Sequence, residues 1–217
     1  MEYIQKRNNW TDDTMKYIDW NLHRKAFNKK INQRVSYCKM IHDILPTNKM
    51  NHRYDPSTNI PNCPRCNYKL EYQDHVIRYQ YSDGWFKASL LEWKTLMLEQ
   101  NTDPILQTIF LQGITKWRQM QPLDTTEFPT EYRNLLDQQE QIGWRQIWSG
   151  RWSNQWKQLQ LQSLPLQEDK EKKWTQTSLA SVWQSWDDIW SERNSIVHGN
   201  SPETRADAFN TKIHRNL

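Results

Sequence analysis

Thirteen tryptophans in a 217-residue chain constrain what this sequence can fold into. Only 36% of its residues are hydrophobic and the mean hydropathy is −1.03, so aliphatic side chains alone cannot build a core. Each buried aromatic ring removes on the order of 150–250 Å² from water, and the indoles must supply much of the buried area. Only 5 glycines and an abundance of Gln, Lys, Glu and Leu favour helix. The expected fold is therefore all-α, a multi-helix domain with a thin aromatic core. Trp144, Trp148, Trp152 and Trp156 recur every four residues, the spacing of one helix face. Gly150 and Ser153 are points where that ladder could divide into two helices. Such a ladder could stack bases, but with Leu159 and Leu161 following, core or inter-helix packing is the stronger reading.

Capping chemistry and periodicity place the other elements. Thr11-Asp12-Asp13 offers a hydroxyl N-cap followed by acids at the positive end of a helix dipole, with Met15, Ile18, Leu22 and Ala26 at helical spacing. A second helix is expected from about Asn32 to Pro46, with Ile31, Val35, Cys38 and Ile41 turned inward. Residues 46–66 hold four prolines and no periodicity, and read as loop. Phe86, Leu90, Trp93 and Met97 mark a helix from Ser82 to Glu99. Asp103-Pro104 starts another with an N-cap and a first-turn proline, carrying Leu106, Phe110, Ile114 and Trp117. Pro122 to Pro129 reads as a linker and Tyr132 to Ile142 as helix. Leu179, Val182, Trp183, Trp186, Ile189, Trp190, Ile196 and Val197 form the strongest amphipathic pattern, stopped by Gly199. Ser201-Pro202-Glu203 opens a last short helix, and the absence of an apolar closure after it suggests truncation there.

One segment breaks the helical pattern. Cys63-Pro64-Arg65-Cys66 is followed by His75 and then Tyr79. Two cysteines two residues apart on a tight turn can face one metal ion, and a tetrahedral structural zinc site wants four sulfur or nitrogen donors. Cys63, Cys66 and His75 supply three. Tyr79 stands where the fourth is expected, and a phenol is a poor zinc donor at neutral pH. The site is then completed from elsewhere, completed by water, or dead, and zinc binding is expected to be weak or lost. Cys38, on the expected apolar stripe, reads as core rather than as a fourth ligand. With no apolar signal sequence at Met1-Glu2-Tyr3 and two of the three cysteines in one Cys-x2-Cys, metal is favoured over disulfide and an intracellular, nuclear or cytoplasmic setting is expected. No run approaches 18 apolar residues, so no membrane span is expected.

The order Cys-x2-Cys, an acid-rich stretch, then His followed four residues on by a fourth ligand position resembles the zinc-binding segment downstream of the polymerase in reverse transcriptases of non-LTR retrotransposons. Upstream, KMIHDILPTNKM (Lys39 to Met50) is similar to that family's basic, apolar helix ended by Leu-Pro-Thr. Downstream, IGWRQIWSGRWSNQW (Ile142 to Trp156) and WDDIWSERNSIVHG (Trp186 to Gly199) are similar to its Trp-containing helices. The resemblance spans roughly Ile18 to Gly199. It departs from the family at Tyr79, where cysteine is expected, and at Tyr81, in a His-like position. Both tyrosines are one nucleotide change from Cys or His codons, as in a decaying mobile-element copy. The resemblance implies a non-catalytic accessory segment that helps a polymerase hold RNA or DNA, here standing alone as a fragment.

Charge agrees with a phosphate partner. Residues 1–54 hold 11 Lys and Arg against 5 Asp and Glu, while the remainder is slightly acidic. Lys29, Lys30, Arg34, Lys39, Arg53 and the knuckle residue Arg65, expected to project outward, are the candidate phosphate contacts. The same residues could merely solvate two helices. No catalytic centre is expected. A polymerase turn that holds Mg²⁺ has the pattern aromatic-x-Asp-Asp; Asp187-Asp188 has Ser185 in the aromatic's place and falls mid-helix, Asp12-Asp13 reads as the acidic first turn of a helix, and no phosphate-binding glycine loop or nucleophile constellation is present. The expected organisation is residues 1–54 as basic helices, 55–81 as the knuckle-like segment and 82–217 as the Trp-rich helical region, folding together, with no small-molecule substrate. The rival readings are a helical scaffold whose tryptophans dock a protein partner, and a mobile-element relic without function.

Overall fold

The computed structural model describes the backbone of residues 2–163, 168–199 and 204. Side chains of Ile31 and of residues 168–173 fall outside that description, as does the helix expected at Ser201-Pro202-Glu203. The fold is all-α. Among the described residues there are eleven α-helices: α1 (Glu2–Asn8), α2 (Asp12–Tyr17), α3 (Trp20–Lys29), α4 (Arg34–Ile41), α5 (Asn48–Tyr54), α6 (Gln73–Arg78), α7 (Asp83–Glu99), α8 (Pro104–Arg118), α9 (Arg133–Ile142), α10 (Gln155–Ser163) and α11 (Glu168–His198). None is long and apolar enough to cross a membrane. The chain forms two compact units, one of Met1–Tyr37 with Ser89–Trp183 and one of Cys38–Ala88 with Gln184–Leu217. The units cut across the linear division at residues 54 and 81.

The first unit is organised by tryptophan. Trp93, Trp144, Trp148, Trp152, Trp156 and Trp183 are all buried. Trp93 meets Phe110 edge-on at 5.7 Å and Trp148 at 5.5 Å, and Phe110 in turn meets Trp152 at 5.4 Å and Trp156 at 5.9 Å, the edge-to-face and tilted geometries that indole quadrupoles prefer. Burial of an indole strands its N–H unless a partner is found. Trp152 donates to Ile147 O at 3.1 Å, Trp156 to Gln139 Oε1 at 3.0 Å and Trp183 to Trp148 O at 3.0 Å. Gln139, fully buried, also accepts from the Ser153 backbone at 3.0 Å.

The four-residue ladder is core, but it is not one helix. Trp144 lies in a 3-10 turn (Trp144–Ile147) and Trp156 in α10. Between them Gly150 adopts φ +71, a left-handed conformation that ends a helix and suits glycine. Ser153 pairs as an isolated antiparallel bridge with Ile18, so the helix expected to run through Ile18 is divided there into α2 and α3. Thr11 does cap α2, accepting from Thr14 N at 3.1 Å, and Asp103 caps α8 through Ile105 N and Leu106 N, both at 2.9 Å.

Two inward assignments are corrected. Val35 is 71% exposed and Cys38 is exposed, whereas Tyr37, Met40 and Ile41 are buried. The chain enters α4 through a 3-10 turn at Ile31–Gln33; three residues per turn instead of 3.6 shifts the phase of the stripe. Residues 46–66 are also not all loop, since Thr47 caps α5, its hydroxyl accepting from Met50 N at 3.4 Å. In the second unit Trp186 and Trp190 are buried and stack on each other at 5.9 Å. Ile196, expected on the apolar face, is 50% exposed. Gly199 ends α11 at φ +79, its N–H bonded to Ser195 O at 2.9 Å.

Gly113 in α8 tests the packing. A Cβ built there would lie 2.2 Å from Cζ3 of Trp144. Glycine to alanine within a helix ordinarily stabilises by up to about 1 kcal/mol. Here Gly113→Ala is expected to destabilise by about 1–3 kcal/mol through overpacking, measured by urea unfolding; a stabilised variant would show that the Trp144 ring is not held against α8.

Candidate metal centre

The second unit brings the sequence-predicted ligands together. Ligand atoms of Cys63, Cys66 and His75 all lie within 4.8 Å of one another, and Cys66 Sγ is 3.2 Å from His75 Nε2. A tetrahedral divalent ion with sulfur at about 2.3 Å and imidazole nitrogen at about 2.0 Å requires donor separations of about 3.5–3.8 Å. The three side chains therefore fit one ion with small adjustments, and this group could hold a metal. Exposed Cys38 is not a member of the group.

Local backbone chemistry builds the site. Cys63 N donates to Tyr68 O at 2.9 Å and Asn67 N to Cys63 O at 2.8 Å, so residues 63–68 close on themselves. Asn67 takes φ +57, which asparagine tolerates better than most residues. His75 comes from α6, whose first turn follows Tyr72. Burial pushes the Cys63 thiol up, while hydrogen bonds from the Arg65 and Cys66 backbone pull it down; these are the donors that a metal-bound thiolate uses. Burial holds His75 below its usual range, with the Arg65 charge adding to the effect and Glu71 opposing it. His75 is thus neutral at neutral pH, the form that ligates metal.

Tyr79 occupies the expected fourth place. Its hydroxyl is hydrogen-bonded to Cys66; burial, then that bond, raise its pKa above the ordinary phenol value. The position therefore presents a neutral hydroxyl rather than a thiolate. Tyr79 N also closes α6 on His75 O at 3.1 Å.

Arg65 does not project outward as expected. It is half-buried and donates to Val76 O at 2.8 Å and Ser82 Oγ at 3.4 Å, while Ser82 Oγ also donates to Val76 O at 2.7 Å. The last carbonyls of a helix lack intrahelical partners; in α6 the knuckle arginine supplies one. Of the other candidate phosphate contacts, Lys29, Arg34, Lys39 and Arg53 are exposed. Lys29 reaches Gln176 Oε1 at 2.9 Å, and half-buried Lys30 lies 5.2 Å over the Tyr37 ring. Lys29, Lys30 and Arg34 belong to the first unit, and Lys39, Arg53 and Arg65 to the second.

The polar hub behind the site was not anticipated. Glu71 and Arg193 are a fully buried pair, with Arg193 Nε on Glu71 Oε1 at 2.9 Å and Nη2 on Oε2 at 2.5 Å. Asn48 joins from α5, its N–H donating to Glu71 Oε2 at 2.7 Å and its Oδ1 accepting from Arg193 at 3.1 Å. Asn48 Nδ2 donates to Asn62 O at 2.7 Å, and Glu71 N to Pro61 O at 2.7 Å. The available signal was Arg193 on the buried face of α11, in register with Trp186, Ile189 and Trp190; a charge on an apolar stripe requires a buried counter-charge.

No protein-family model matches this sequence, and comparison with curated proteins and with solved structures finds no match.

Tyr79→Cys restores a thiolate donor. Titration with Co(II), followed by thiolate-to-metal absorbance, is expected to show weak binding by the native chain and markedly tighter binding by the variant. Equal affinity in both would mean that residue 79 does not face the ion.

Proposed function

We propose that this chain is a non-catalytic nucleic-acid-binding segment of the kind that follows the polymerase in non-LTR retrotransposon reverse transcriptases, with zinc as its metal. One observation carries the reading. Three of the four stretches on which the resemblance rests, Lys39 to Met50, Cys63 to Tyr79 and Trp186 to Gly199, fall in one compact unit. Members of all three regions meet at the Glu71–Arg193–Asn48 hub. Residues that are remote in sequence and resemble one family's motifs thus share a physical reason to occur together.

Zinc would be held by Cys63, Cys66 and His75 and would act structurally, cross-linking the knuckle to α6. With a neutral Tyr79 hydroxyl in the fourth place, the ion would be completed by water or from elsewhere, which would make the site weaker than a four-ligand one or leave it empty. Its partners would be RNA or DNA and the polymerase part of a reverse transcriptase, in an intracellular setting. Exposed Lys29, Arg34, Lys39 and Arg53 would contact phosphates without reading sequence.

A second reading, a protein-docking scaffold, draws on an apolar depression in the first unit lined by Leu90, Leu91, Leu111 and Thr115. Salt separates the two. Binding of a single-stranded oligonucleotide is expected to weaken steeply with salt, and neutralising the four exposed cations to Gln should flatten the log K against log salt slope by about three units. Absence of binding by the native chain at low salt, or an unchanged slope, would leave the scaffold.

A further inference from the structure

The second unit exposes aromatic rings that its core does not use. Met40, Leu45, Val76 and Ile77 are buried there, yet Tyr68, Tyr72 and Tyr81 are 54%, 38% and 61% exposed. These rings are joined through the metal-site histidine. Tyr68 stacks on His75 with centroids 5.0 Å apart and planes within 14°. Tyr79 meets His75 at 5.0 Å, and Tyr81 meets Tyr79 at 5.3 Å. Tyr68, His75, Tyr79 and Tyr81 therefore form a continuous row whose two ends are its most exposed members. Tyr72 joins at His75 from 6.0 Å and carries Lys49 Nζ 5.7 Å from its ring centroid.

We propose that this tyrosine row is a base-stacking platform for single-stranded nucleic acid, with unpaired bases laid on the outer rings of Tyr68 and Tyr81 and the backbone met by Lys49. The proposal rests on the nucleic-acid reading above and assigns its contact surface to the knuckle rather than to the basic helices. Exposed aromatic rings serve single-strand binding because every base offers a π-face, and a neighbouring cation answers the phosphate. Charge complementarity supports this occupant over an apolar protein surface. Residues 46–81 hold five Lys and Arg against three Asp and Glu; with Arg65 turned in on α6 and Glu71 buried against Arg193, four cations stand against two acids. His75 is fixed by its place in α6, so a ring stacked on it is pre-oriented.

The test compares two fluorescein-labelled 12-mers by anisotropy at fixed low salt, oligo(dT) and an abasic strand of equal charge, using the full chain. Tyr68→Ala and Tyr81→Ala are each expected to weaken oligo(dT) binding by about five- to 150-fold. Both should leave the salt slope and the abasic affinity unchanged, and the corresponding Phe variants should bind as the native chain does. Tyr81→Ala guards against a metal-site artefact better than Tyr68→Ala, because Tyr81 meets Tyr79 whereas Tyr68 stacks directly on the ligand His75. Native affinity in both Ala variants, or abasic binding as tight as oligo(dT), overturns the platform while leaving electrostatic binding by the chain intact. Absence of native binding to either strand overturns the platform and the nucleic-acid reading together.

Discussion

Glu71 and Arg193 leave only 0% and 1% of their side chains in solvent, and moving each charge out of water costs several kcal/mol. Such a pair survives only when the geometry is good and further hydrogen bonds meet its polar atoms. Both are found here. The contact is bidentate, the stronger form of an arginine–carboxylate pair, and Glu71 Oε2 also accepts from Asn48 N. The pair adds little net stability over a hydrophobic substitute of the same shape, but it is intolerant of alternatives. Any arrangement of this unit that separates residue 71 from residue 193 leaves a bare buried charge. The knuckle, the start of α5 and the C-terminal part of α11 are thereby held to one packing.

That constraint explains the metal centre. Glu71 sits four residues before His75 and ten after Pro61, and its backbone N–H holds Pro61 O at 2.7 Å. The strand of chain entering the cysteine turn and the helix presenting the histidine are therefore fixed by one residue. Arg65, drawn inward to the C-terminal end of α6, closes the other side. The three donors converge because polar groups of the backbone and hub fix the loop in place. Beside them the Tyr79 hydroxyl is hydrogen-bonded to Cys66.

Much of the fold was legible in the sequence wherever caps and period agreed. Asp103-Pro104 and the apolar repeat of α8 fixed that helix, and the heptad-like pattern through Trp183 and Trp190 fixed α11. Cys63, Cys66 and His75 were legible because ligand spacing reflects turn geometry, which is local. The errors arose where a local rule was overridden. A 3-10 turn changed the phase of α4, so Val35 and Cys38 face solvent. Prolines masked α5, although Thr47 was a valid cap. The ladder of Trp144 to Trp156 is no such error, since it is core and divides at Gly150 as expected. Arg65 was misjudged because the partner that turns it inward, Val76 O, is contributed by another element. Glu71 and Arg193, 122 residues apart, meet only through tertiary structure.

A double-mutant cycle on Glu71→Gln and Arg193→Met, followed by urea unfolding, tests this account most directly. Each single change strands a buried charge and is expected to cost about 3–5 kcal/mol. The double variant removes both charges and should cost far less than the sum of the two, giving a large coupling energy. Additive losses would contradict the account, because they would mean that the two side chains do not depend on one another.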